Sequence, residues 1–190
     1  MHPDVYCAVL AAGQSSRFGA TKQLAEIDGL SLVARAVASA DAACPGRSLL
    51  VVGHDAARVT AASEGRCRGV TVNADYREGI GTSIACAVRA VRHVADGVLI
   101  TLADQPLVTS QHLEALITAF DADPDVAVIS RYAGTVGPPA IFPRSLFPRL
   151  LQLDGDRGAK QLLQSLDCVE IAFEKAAADI DRPEDLAAVT

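Results

Sequence analysis

The feature that most limits what this chain can become is a junction near its start. An apolar run, Val5-Tyr-Cys-Ala-Val-Leu10, passes directly into Ala11-Ala-Gly-Gln-Ser-Ser-Arg-Phe-Gly-Ala-Thr-Lys-Gln-Leu24. A short apolar strand, a loop of small residues and then a helix is where α/β proteins place anion-binding loops. Glycines and small side chains let backbone N–H groups approach an anion closely, and Arg17 and Lys22 add two cations. The spacing sets this loop apart from two common relatives. Five residues separate Gly13 from Gly19 and Lys22 stands three beyond the second glycine, which is not a Walker A loop. Ser15 occupies the place where a dinucleotide fingerprint needs its middle glycine, which disfavours a nicotinamide oxidoreductase.

Further along, short β-rich runs alternate with helical stretches, the pattern of βαβ units. Strands are expected near Val5–Leu10, Leu49–Val52, Val70–Asn73, Val98–Leu102, Val126–Ser130, Ala140–Phe142 and Val169–Phe173. Helices are expected over Leu32–Ala43, Asp55–Ser63, Ser83–Val94, Gln111–Phe120 and Asp156–Leu166, with Thr109 or Ser110 capping the fourth. Pro45-Gly46, Asp123-Pro124 and Gly137-Pro138-Pro139 punctuate the connections. Right-handed crossovers wind such units into one α/β domain over residues 1–190, Rossmann-like, with a mostly parallel sheet and helices on both faces. Ligands then bind beyond the carboxyl ends of the strands. The loop Ala11–Lys22 and Asp104 both follow predicted strands directly, so both fall on that edge.

Composition narrows the function classes. Half of the residues are hydrophobic, with no Trp, which suits a sheet buried on both faces. A formal net charge of −6 argues against a nucleic-acid or acidic-membrane binder. Five scattered cysteines without a CxxC pair read as reduced thiols of a cytoplasmic protein, not a disulfide framework or zinc site. No apolar run has the length of a membrane span, and no signal peptide is expected. The four histidines lack metal-ligand spacing and receive no role.

The pattern L-A-A-G-x-S-x-R-x-G-x-x-K over Leu10–Lys22 resembles the signature loop of sugar-nucleotide-type nucleotidyltransferases. Within that superfamily it is most similar to the molybdenum cofactor cytidylyltransferase and guanylyltransferase group. Four later segments extend the resemblance in the same order. They are Asn73-(x)5-Gly79-Ile-Gly81-Thr-Ser83, Asp104-Gln105-Pro106, Gly155-Asp-Arg-Gly158-Ala and Asp179-Ile-Asp181-Arg-Pro183.

The resemblance implies a role for each matching residue. Leu10, Ala11, Ala12 and Gly13 would meet the base edge or the phosphates, Arg17 the departing pyrophosphate, and Lys22 the charge building on the α-phosphate. Gly79 and Ser83 would contact base and ribose, although Thr82 or Ser83 could equally cap a helix. Asp104 would be the main Mg²⁺ ligand, although an Asp before a turn can also serve only as a cap. Asp181 would be the second ligand, with Asp179 in reserve. Against this, Asp181 and Glu184 are spaced like a capping box ahead of the turn Pro183–Val189. Relatives carry Gly-His-Pro where this chain has Gly137-Pro138-Pro139, a departure near the expected acceptor site.

The reaction implied is transfer of CMP from CTP to the molybdopterin form of the molybdenum cofactor, releasing pyrophosphate, for delivery to a molybdenum hydroxylase. CTP is preferred because the loop reads Ala11-Ala12-Gly13 where GTP users of the family carry Ala-Gly-Gly, and a methyl at position 12 crowds the base side. Two alternatives stay open: transfer to another phosphorylated small molecule, and a non-catalytic protein that binds the cofactor and hands it on.

Overall fold

A computed structural model describes residues 3–153, 155, 161–162 and 164–189. Its centre is a seven-stranded sheet built from β1 (Val5–Ala11), β4 (Ser48–Val52), β5 (Gly69–Val72), β6 (Gly97–Leu102), β7 (Ala127–Tyr132), β8 (Thr135–Pro143) and β9 (Cys168–Ala172). The spatial order is β5-β4-β1-β6-β8-β7-β9. All neighbours are parallel except β8, which runs antiparallel to both β6 and β7. A two-stranded ribbon, β2 (Glu26–Ile27) and β3 (Leu30–Ser31), leads into α1 (Leu32–Ala43). The other helices are α2 (Ala56–Ala62), α3 (Ile80–Val91), α4 (Ser110–Ala122) and the single turn α5 (Phe147–Leu150).

Side chains alternate across β1 because successive residues of a strand point to opposite faces. Cys7, Val9 and Ala11 pack with Val33 and Val37 of α1 and Leu113, Leu116 and Phe120 of α4. Ala8 and Leu10 pack on the other face with Ile84, Ala87, Val88 and Val91 of α3. Both faces are therefore covered, and the central strands read as continuous apolar runs. No helix among the described residues is long and apolar enough to cross a membrane.

The expected strands and the first four helices are all present, with ends shifted by a few residues. Thr109 caps α4 by accepting from the His112 N–H. The third helix starts earlier than expected, at Ile80, and its N-cap is Gly79, not Thr82 or Ser83. Gly79 takes φ 118°, a conformation that L side chains rarely adopt. The helix expected over Asp156–Leu166 and the segment Gly155–Ala159 lie largely outside the described residues.

The strand expected at Ala140–Phe142 is much longer. It begins at Thr135, after a two-residue hairpin in which Ala133 and Gly134 both have positive φ. Gly137-Pro138-Pro139 reads as a loop in sequence because proline cannot donate to a ladder. Here the two prolines sit where the β7–β8 register jumps, between the pairs Ile129↔Ala140 and Ser130↔Gly137, so no ladder bond needs their missing N–H.

The irregularity leaves the Pro139 carbonyl in the core, and Ser130 Oγ donates to it at 2.6 Å. Ser130 Oγ in turn lies 2.7 Å from His112 Nε2. With its proton committed to Pro139, the serine accepts, so His112 donates from Nε2. The imidazole stacks on Phe173 with ring centroids 3.9 Å apart. Burial holds its pKa down at about 4, so the ring is neutral in the folded protein. Its place is thus structural. Because the unfolded histidine titrates near 6.5, the unfolded chain takes up the proton first as the pH falls. Stability should be full above pH 6.5 and decline between 6.5 and 4 by about 3 kcal/mol from this group. Denaturant unfolding across that range tests this: His112→Gln should be less stable at neutral pH but should show a shallower acid slope.

Candidate active site

The chain runs from β1 to β4 and β5 on one side of the sheet, then crosses to β6 on the other side of β1. This reversal leaves a crevice beyond the carboxyl ends of β1 and β6, the usual ligand position in open α/β sheets. Leu10 and Leu102 pair at that edge, and the Ala103 N–H bonds Leu10 O at 3.1 Å. A cavity of about 470 Å³ opens here.

One wall is the loop after β1. Ser15, in the left-handed region, donates from Oγ to Gln23 Oε1 at 3.2 Å and accepts from the Lys22 N–H at 3.2 Å. Buried Gln23 donates to Gly13 O at 3.1 Å, and the His54 N–H donates to Ala12 O at 3.0 Å. These four bonds hold the loop open as an arch and turn the Lys22 side chain inward, where it is 12 % exposed.

The opposite wall comes from β6 and the far end of the chain. The Ile180 N–H bonds Asp104 O at 2.9 Å, while Ile180 itself is buried against Ile27 and Leu32. Buried Gln105 donates to Ala176 O at 2.9 Å. Together they bring Asp181 beside Asp104. The capping-box reading of Asp181 with Glu184 is not what forms. Asp185 accepts from the N–H groups of Asp181 and Arg182 at 2.9 and 2.7 Å, which leaves the Asp181 carboxylate to the cavity.

There the charges converge. Lys22 Nζ lies 2.6 Å from Asp104 Oδ2 and 3.0 Å from Asp181 Oδ1, and Arg17 Nη1 lies 3.1 Å from Asp181 Oδ2. Burial works against the Lys22 charge, but the two carboxylates outweigh it and hold its pKa above the ordinary lysine value. Its bond to Lys22 holds Asp181 below the ordinary carboxylate value.

The remaining wall is formed by Ala12, Gly13, Gly79 and Ser83, with Tyr76, Ile80 and the cationic Arg77, whose guanidinium carbon lies 5.5 Å from the Tyr76 ring centre; sequence reasoning singled out none of these last three. Asn73 organises it: its buried Nδ2 donates to Thr82 Oγ1 and Ser83 Oγ at 2.9 and 3.0 Å, and Thr82 Oγ1 donates to Gly79 O at 2.8 Å. Gly53 allows a close approach, since a Cβ there would lie 2.7 Å from Tyr76 Cβ and 2.9 Å from Ala12 Cβ.

Leu10, Ala12, Gly13, Arg17, Lys22, Gly79, Ser83, Asp104 and Asp181 thus all line one cavity. Two expected residues do not. Ala11 points into the core on the opposite face of β1 because of strand alternation. Asp179 lines a second, smaller cavity of about 280 Å³ whose walls include Ile84, Ile100, Val136, Pro138 and Phe142. Burial, followed by the nearby Asp104 charge, pushes the Asp179 carboxyl up to about 6. The departure at Pro138 therefore falls in the wall of this neighbouring cavity.

Among the described residues no group of three or more His, Cys, Asp or Glu side chains is arranged to hold a metal. Asp104 and Asp181 make a pair, and Mg²⁺ is commonly held by one or two carboxylates together with substrate phosphates. The donor set fits such an ion.

Residues 7–170 match the MobA-like NTP transferase domain. The purine catabolism protein PucB of Bacillus subtilis is 36% identical over 117 residues, 58% of this chain and 56% of PucB. The chain spans little more than half the length of the curated relatives it matches, or less. The crystal structure of Rv0371c from Mycobacterium tuberculosis superposes with a TM-score of 0.84 at 29% identity, covering 98% of this chain and 97% of that one. The manganese complex of Rv0371c superposes at 0.81 and 28% identity, with the same coverage. Molybdopterin-guanine dinucleotide biosynthesis protein A from Archaeoglobus fulgidus shares the fold, with a TM-score of 0.73 at 21% identity over 96% of this chain and 95% of that one. The loop, the crevice and the matched span agree: the chain belongs to the MobA-like NTP transferase domain family of nucleotidyltransferases.

Proposed function

We propose that the protein transfers CMP from CTP to a phosphate monoester on the molybdopterin form of the molybdenum cofactor, with release of pyrophosphate. The observation that carries this reading is the meeting of Lys22 and Arg17 with Asp104 and Asp181 at one end of a cavity whose remaining wall, among the described residues, holds small residues, Tyr76 and Arg77 and no carboxylate. The end with the ion-pair cluster suits a triphosphate, and the wall of small residues with Tyr76 suits a base and ribose.

In the reaction an acceptor phosphate oxygen attacks the α-phosphorus in line, a new P–O bond forms, and the bond from Pα to the bridging oxygen of the β-phosphate breaks. A phosphate monoester is already ionised at neutral pH, so no general base is needed, and no histidine among the described residues lines the cavity. Lys22 stabilises charge on the α-phosphate, and exposed Arg17 meets the departing pyrophosphate at the rim. Asp104 and Asp181 would hold Mg²⁺, which when bound supplies neutralisation of phosphate oxygens. The loop amides near Gly13 and the N-terminus of α3 at Gly79 and Ile80 position the nucleotide.

CTP is the favoured donor because buried Ala12 carries a methyl in the cavity wall, which crowds the base side against a purine. The second cavity, with Asp179 in its wall, suits the ring system of the acceptor, its apolar sides being closed by a few polar groups. The likeness to a purine catabolism protein adds purine breakdown as a setting for the target hydroxylase. None of the five cysteines forms a disulfide, which supports a cytoplasmic site of action. Pro138 in the acceptor-side wall favours one second reading, transfer to another phosphorylated small molecule by the same chemistry.

Thermal unfolding with CTP, GTP, UTP and ATP, each with and without Mg²⁺, tests the donor. At about 100 times its dissociation constant, CTP with Mg²⁺ should add about 2.7 kcal/mol, roughly 5–10 °C for a chain of this size. No shift with any nucleotide would leave a non-catalytic cofactor carrier as the better reading. In a pyrophosphate-release assay, Lys22→Ala and Arg17→Ala should each slow turnover by about 100-fold or more. Activity within a few-fold of wild type would remove them from the chemistry. Asp104→Asn should abolish Mg²⁺-dependent turnover while leaving the unfolding transition cooperative.

A further inference from the structure

The charged end of the cavity is closed on itself. Lys22 Nζ bridges Asp104 Oδ2 and Asp181 Oδ1 at 2.6 and 3.0 Å, and Arg17 takes the remaining Asp181 oxygen at 3.1 Å. Two cations and two anions leave the quartet neutral. The Lys22 and Asp104 side chains are only 12 % and 23 % exposed, so attraction and repulsion between them are screened less than at the surface. The ammonium occupies the space between the two carboxylates, where a divalent cation held by both would sit.

Resting on the nucleotidyltransferase reading above, we infer that Lys22 is the protein's own stand-in for the metal, an internal cation that makes metal and triphosphate bind as a couple. A divalent cation arriving alone meets an ammonium and a guanidinium in its place. A triphosphate arriving alone meets two carboxylates beside the cations it needs. When both arrive, partners exchange: the carboxylates take the metal, Lys22 and Arg17 take phosphate oxygens, and no charge is left unmatched. The coupling is reciprocal, since each ligand removes the group that opposes the other.

The inference concerns binding, so it is tested without turnover. Mn²⁺ serves as the probe, its free concentration read by electron paramagnetic resonance, in the absence of nucleotide. Lys22→Met keeps the aliphatic stem and removes the competing charge, and it should bind Mn²⁺ about tenfold more tightly than wild type. Adding Asp104→Asn to that variant should abolish the gain. The converse arm measures CTP binding by calorimetry in EDTA. There Asp181→Asn, a change at a half-exposed carboxylate, should tighten metal-free CTP several-fold while weakening Mn²⁺.

Mn²⁺ affinity in Lys22→Met equal to or below that of wild type would make the lysine a scaffold for the carboxylates and overturn the inference. Unchanged metal-free CTP binding in Asp181→Asn would overturn it independently. The two readings fail separately. Wild type that binds no nucleotide even with Mn²⁺ would remove the nucleotidyltransferase reading, whereas tight CTP binding with Mn²⁺ and no gain in Lys22→Met would remove only this one.

Discussion

The central sheet is covered on both faces, and this burial places everything else. With α1 and α4 on one face and α3 on the other, a polar side chain in the middle of β1 or β6 is buried and needs a hydrogen-bond partner in the core. Polar and charged groups are therefore carried to the strand ends. Only where the chain reverses direction beside β1 do two neighbouring strand ends release loops that diverge and leave room for a ligand. The position of the cavity is thus a property of the topology, and the chemistry in it depends on which residues follow β1 and β6.

Those residues are held by a surrounding set of polar side-chain and backbone bonds as well as by one another. The Ser15–Gln23–Gly13 bonds shape the loop, Asn73 shapes the entry to α3, and the Ile180 N–H to Asp104 O bond ties the chain end to the site. On this frame the four charged groups need only short-range adjustment. One carboxylate faces each cavity from the same short stretch: Asp181 with the cations, and Asp179, its carboxyl pushed up to about 6, among apolar walls. Two aspartates two positions apart thereby acquire opposite electrostatic settings.

Much of the fold was legible because burial on both faces produces continuous apolar runs, as in Val5–Leu10 and Val98–Leu102, and punctuation such as Pro45-Gly46 separates them. The hairpin Tyr132–Thr135 and the long β8 were not legible. Gly137-Pro138-Pro139 signals a loop by local chemistry, and only the register jump opposite Ile129 and Ser130 makes the prolines tolerable within a strand. His112 shows the same limit, since its partner Ser130 and its stacking partner Phe173 come from other strands and segments. In the site, the signatures around Gly13, Lys22, Gly79 and Asp104 marked segments that the structure brings to one cavity. They did not reveal that Ala11 faces the core, that Asp185 rather than Glu184 caps the last turn, or that Gln105 is a buried anchor for the chain end.

Sequence alone determined the α/β class, the succession of the main strands along the chain, and a loop of small residues with two cations directly after β1. These depend on local spacing and side-chain type, which survive without knowledge of neighbours. Tertiary structure alone decided which of those residues meet. Arg17 and Asp181 are 164 positions apart in the chain and 3.1 Å apart in space. Whether an aspartate near the end of the chain is a cap, a core anchor or a partner for Lys22 is set by packing around Ile180 and by one backbone bond to Asp104, and no local pattern encodes either.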